Sequence, residues 1–117
     1  MPKALTAVIS NDRDTMNSEI NRDFETSAVN DSRKLQTIVD CAYMSALTRS
    51  QGCLNDCVIN LHAVGDSFGF PHEDRLIVYK TLEKLADIKC ASDFEDVVSL
   101  IKLSGFYENS NFIKTVT

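Results

Sequence analysis

Residues 62–70, His62-Ala63-Val64-Gly65-Asp66-Ser67-Phe68-Gly69-Phe70, gather an imidazole, a carboxylate and a hydroxyl among glycines, more chemistry than any other short stretch of this chain. Three readings are open to that set. Ser67, inside Gly65-x-Ser67-x-Gly69, has the spacing of a nucleophile elbow, in which a sharp strand-to-helix turn raises a serine above a sheet. His62 could accept a phosphoryl group. The third reading holds no chemistry: a helix ends at Gly65, Asp66 and Ser67 cap backbone groups in a turn, and Pro71 opens a new helix.

Gly65-Asp66-Ser67 resembles the opening block of the GDS-type esterases. That resemblance implies a serine nucleophile at Ser67 with a histidine base and an orienting carboxylate. The only histidines, His62 and His72, lie within a few residues of Ser67 along the chain. Neither can arrive from a separate loop, as those folds require, and the remaining sequence does not supply their sheet.

His62-Ala63-Val64, followed by a glycine and a leucine-rich helix, resembles the histidine phosphotransfer domains. Asp74-Arg75-Leu76 and Leu82-Glu83 echo the helix that follows the phosphorylated one in that family. The resemblance covers about a quarter of the chain and implies a four-helix bundle carrying the phosphoryl group on an exposed His62. The chain departs from the family where a lysine should neutralise the incoming phosphate: Gly65 and Asp66 stand there. The family's histidine helix also runs well past the histidine, whereas Gly65, Gly69 and Pro71 predict an early stop.

Cys53-x-x-x-Cys57 places two thiols one helical turn apart, a spacing found in metal sites and in helical-hairpin disulfides. His62 falls roughly 140° around a continuous helix from Cys57, so the three cannot converge on one ion. The helical-hairpin proteins of the mitochondrial intermembrane space carry a second matching pair, and this chain has only the isolated Cys41 and Cys90. The four cysteines are read as buried thiols acting as small apolar side chains. No metal and no cofactor is expected.

The elements that would position these groups are helices. Met16, Ile20, Phe24 and Ala28 recur every fourth residue, which predicts a first helix from Asp12-Arg13-Asp14 to the Asn30-Asp31 break. Ser32 is the expected N-cap of a second, with Leu35, Ile38, Val39, Ala42 and Ala46 on its inner face and an end near Arg49. Leu54, Cys57, Val58 and Leu61 continue the pattern after Ser50-Gln51-Gly52, either as a third helix ending at Gly65 or as the far half of one kinked rod. Pro71 starts a fourth, burying Leu76, Tyr79, Leu82, Leu85 and Ala86, and Ile77 and Val78 widen its apolar surface. Ser92-Asp93-Phe94-Glu95 has the form of a capping box for a fifth helix that faces Phe94, Val97, Val98 and Ile101 inward. Ser104-Gly105-Phe106 reads as its Schellman ending.

The sequence thus predicts an all-α fold, a single compact bundle of four to five helices over residues 1–117. Residues 1–11 and 107–117 are read as frayed termini, with a short strand pairing 4–9 and 112–116 as the alternative. A length of 117 residues suits one domain, and 44% apolar with 25% charged residues is ordinary globular usage. The net charge of -5, with lysines and arginines scattered, gives nucleic acid no basic seat. The N-terminal apolar run is too short for a secretory or membrane segment, so a cytoplasmic location is the default. What remains is surface. The expected function is a small intracellular interaction module, an adapter or inhibitor without catalysis of its own, that binds a protein partner or a second copy of itself through Leu76, Ile77 and Val78. Phosphotransfer through His62 is the alternative.

Overall fold

The computed structural model describes residues 2–22, 28–67 and 94–103. Five helices make up the described chain: α1 (Lys3–Ile9), α2 (Arg13–Ile20), α3 (Ala28–Leu47), α4 (Gln51–Ser67) and α5 (Phe94–Leu103). The fold is an all-α bundle, with no strand among the described residues. The expected helix from Pro71, with Leu76, Ile77 and Val78, lies outside the described residues. So do Phe24, the turn at Phe68–Phe70, the ending at Ser104-Gly105-Phe106 and the segment 112–116.

Residues 3–9 are neither frayed nor extended but form α1, with Ala4, Leu5, Ala7 and Val8 buried. Thr6, Val8 and Ile9 are β-branched and favour a strand locally. The i, i+1, i+3, i+4 spacing of the buried residues outweighs that preference by placing one apolar face against α2 and α3.

The break after α2 falls beyond Ile20 and not at the expected Asn30-Asp31. α2 starts where expected, with Asp12 as N-cap: its Oδ1 accepts from the Thr15 amide at 3.2 Å and its Oδ2 from the Thr15 hydroxyl at 2.6 Å. It buries Met16 and Ile20 but stops at Ile20. Ala28 then belongs to α3, which runs through Asn30, Asp31 and Ser32 without a cap at Ser32. An aspartate in the opening turns of a helix interacts well with the dipole, and the burial of Leu35, Ile38, Val39, Ala42 and Ala46 sustains the rest.

α3 is the hub of the described core, packing on α1, α2, α4 and α5. Ile38 and Val39 lie at its centre with Tyr43, all within about one per cent of full burial, and Leu61 of α4 and Val97 and Ile101 of α5 join them. Phe94 and Val98 pack partly buried against the same cluster, so the inward face expected for the last helix is found. Cys41, Cys53 and Cys57 are free thiols inside this core.

Helices α1 and α3 end in the same way. Beyond Ile9, the Asn11 amide donates to the Val8 carbonyl at 3.0 Å and the Asp12 amide to Ala7 at 2.8 Å; beyond Leu47, Arg49 donates to Ala46 at 3.3 Å and Ser50 to Ser45 at 2.8 Å. Each is a Schellman motif, whose turning residue must be left-handed. Asn11 (φ 54°) and Arg49 (φ 56°) occupy those positions. Helices α3 and α4 are therefore two separate rods.

Candidate functional site

The two turns are tied together. The Ser50 hydroxyl donates to Asn11 Oδ1 at 2.8 Å, and the Cys53 thiol lies 3.9 Å from the same oxygen. Between the turns runs a groove of about 330 Å³ lined by residues of α1, of both turns and of the starts of α2 and α4, among them Ile9, Asn11, Arg13, Arg49, Gln51 and Gly52. That volume lies at the lower end of the range of ligand-binding pockets.

Its exposed apolar component is Ile9, 51% of which is open to solvent, next to the buried Val8. Leu47, two residues before Arg49, is 46% exposed. None of the described lining residues is acidic. The groove's two cations are held differently. Arg13 reaches across to α4 and donates Nε to Asp56 Oδ2 at 2.8 Å and Nη2 to Asp56 Oδ1 at 2.9 Å, a bidentate pair. Gly52 leaves room for this path: a Cβ there would stand 2.9 Å from Arg13 Cδ, so the arginine side chain would have to shift. Arg49 instead lays its guanidinium over the Phe94 ring, 5.5 Å from the centroid, and among the described residues it has no ion-pair partner.

Asp56 organises a polar layer between α2 and α4. Besides Arg13, the Asn17 amide group donates to Asp56 Oδ2 at 3.0 Å, and Asn60 Nδ2 donates to Asn17 Oδ1 at 2.9 Å and to the Asp56 carbonyl at 2.8 Å. The Arg13 hydrogen bonds, helped by Asn17 and opposed by partial burial, hold the Asp56 carboxyl below the usual carboxylate value of 3.8. A recess of about 430 Å³ carries Asp12, Asp14 and Asp56 on its wall together with Arg13 and Asn17. The chain's own groups saturate Asp56 there, so this layer is a clasp between helices. Nothing in the local sequence marked it, since its partners are 39 to 43 residues apart.

The residues singled out by sequence fall as follows. His62 is on α4 and exposed. Gly65, Asp66 and Ser67 belong to the helix, which corrects the expected stop at Gly65 and the capping turn at Asp66 and Ser67. One glycine near a helix end costs only about 1 kcal/mol. A helical backbone at Ser67 also differs from the strand-to-helix turn of a nucleophile elbow. Cys53 and Cys57 are fully buried. Burial pushes the Cys41 thiol up to about 12, helped by the Asp40 carboxylate and then by Cys53, and pushes the Cys57 thiol well above its ordinary value, helped by Cys41. Such thiols stay protonated, and Cys57 Sγ rests 3.9 Å from Met16 Sδ as a packing contact. Among the described residues no three His, Cys, Asp or Glu side chains are placed to hold a metal ion, and no helix is long and apolar enough to cross a membrane.

Comparison with protein family models, with curated proteins and with solved structures finds no match to this chain.

Proposed function

We propose that this chain is a small protein–protein interaction module, an adapter or inhibitor that works in the cytoplasm by docking a partner protein on the surface around its paired turns. The observation that carries the reading is the half-exposed Ile9 in the groove, with Leu47 exposed beside the second turn. Aliphatic side chains left in water at the edge of a concave, partly cationic surface are the pattern of a contact patch. Exposed single aliphatics are common on any protein, so the position of Ile9 in a groove, not its exposure, supports the reading.

The test is a double variant, Ile9→Ser with Leu47→Ser. Both side chains already face solvent, so helicity and melting temperature should hold while a partner co-purified by the unaltered chain is lost. Equal retention of that partner by the folded double variant removes this surface from the proposal. If light scattering shows a dimer that the double variant turns into a monomer, the partner is a second copy of the chain.

A second reading, phosphotransfer through His62, is favoured by one observation: His62 is exposed on α4, and that helix continues beyond it to Ser67. Incubation with a small phosphodonor or a phosphorylated receiver domain should then give acid-labile label that His62→Gln abolishes. No label with either donor excludes the phosphoacceptor role.

A further inference from the structure

Arg49 occupies a position that its residue type disfavours. The turning residue of a Schellman motif is left-handed, the conformation that glycine adopts freely and asparagine tolerates, and in the equivalent turn after α1 the chain uses Asn11. After α3 it uses arginine at φ 56°. A strained residue kept in place calls for a reason outside the turn itself.

The surroundings of Arg49 supply one. Its guanidinium lies over the ring of Phe94 of α5, 5.5 Å from the centroid, a contact with the π face that does not consume its N–H donors. The groove's other cation, Arg13, spends two donors on Asp56. Arg49 has no carboxylate partner among the described residues, although acidic residues outnumber basic ones seventeen to twelve in the chain. Among the described residues, the groove it lines has no acidic side chain, and Ile9 is half-exposed in its wall. A planar fork held over an aromatic ring, its donors without an acceptor among the described residues and beside an aliphatic side chain, is complementary to a carboxylate next to an apolar residue.

We infer that the groove between the two turns binds an acidic segment of a partner protein: Arg49 pairs with the carboxylate of an aspartate or glutamate, and Ile9 packs on an adjacent apolar side chain of the same segment. This rests on the reading of the chain as an interaction module and names the chemistry of its partner.

The left-handed backbone makes the test unusually clean. Arg49→Gly and Arg49→Asn remove the fork at a position where both new residues suit the backbone, and the relief of the left-handed conformation offsets the lost contact with Phe94, so each variant should fold with a melting temperature close to that of the parent. The probe is an array of short peptides with glutamate or aspartate beside leucine, isoleucine or phenylalanine, matched by peptides with glutamine or asparagine in place of the acid. The parent chain should retain the acidic peptides over their amide counterparts, less so as salt is raised, and both variants should weaken that retention by about tenfold or more. The inference is overturned if the parent shows no preference for the acids, if the folded variants retain the same peptides, or if an RNA oligonucleotide or phosphopeptides compete better than any acidic peptide. If Arg49→Gly keeps a partner that the Ile9/Leu47 double variant loses, the interaction reading stands and the assignment of Arg49 falls.

Discussion

Truncating Ile38 to alanine should lower the unfolding free energy by about 2–5 kcal/mol, the range for a fully buried aliphatic whose site closes only partly around the gap. Ile38 has no exposed surface and lies on α3, the helix that touches every other described helix. Removing its outer carbons forfeits about 0.8 kcal/mol per buried methylene in transfer alone, and the cavity adds to that. A domain of this size is typically stable by only about 5–15 kcal/mol, so the loss is a large share of the total. Urea denaturation is the measurement: the midpoint should drop while the slope stays unchanged. Ile59→Ala is the internal comparison, because Ile59 is 65% exposed on the outer face of α4 and should cost at most about 0.5 kcal/mol. Equal losses at the two isoleucines would mean that α3 does not run through the centre of the bundle as described.

The contrast between those two isoleucines shows which parts of the molecule a sequence can reveal. Ile38, Val39, Ala42 and Ala46 sit on one helical stripe, and a stripe is a local pattern, so the inner face of α3 and the Phe94, Val97, Ile101 face of α5 were both legible. The helix limits were not. α1 was obscured by β-branched residues whose strand preference yields to burial, and the start of α3 was obscured by Asn30-Asp31-Ser32, a run typical of a break that a helix tolerates in its opening turns. Gly65 misled for the same reason at the end of α4. The groove was invisible for a different cause. Its position depends on two left-handed residues, and Asn11 is a common occupant of that conformation, whereas Arg49 is not. Ser50 could be read as punctuation, but its bond to Asn11 joins residues 39 apart. The Arg13–Asp56 clasp is equally remote in sequence, and neither helical periodicity nor a local motif encodes pairs 43 residues apart.

That clasp should give the protein a recognisable acid limb. Replacing Asp56 with alanine removes the acceptor of Arg13 Nε and Nη2 and of Asn17 Nδ2 in one step, and is expected to cost about 1–3 kcal/mol at neutral pH. The figure stays moderate because the Arg13 side chain is 54% exposed, so water and salt take over part of its partner's role. The dependence on pH follows from the direction of the shift. Arg13 and Asn17 hold the folded Asp56 carboxyl below 3.8, the value that applies once the chain unfolds. The folded form therefore binds its proton less readily than the unfolded form, and acid favours unfolding. The carboxylate's contribution is complete above about pH 5, starts to decline as pH falls through 3.8 and is gone below the folded value. Asp12, whose carboxyl the Thr15 hydroxyl and amide also hold down, titrates in the same region in both proteins, so subtraction removes it. Unfolding free energies of the parent and Asp56→Ala should therefore differ by a constant amount from pH 7 down to about pH 5 and converge as the solution is acidified further, with a smaller gap throughout in high salt. A gap that stayed constant through the acid range would mean that Asp56 holds α2 to α4 by shape and not by its charge.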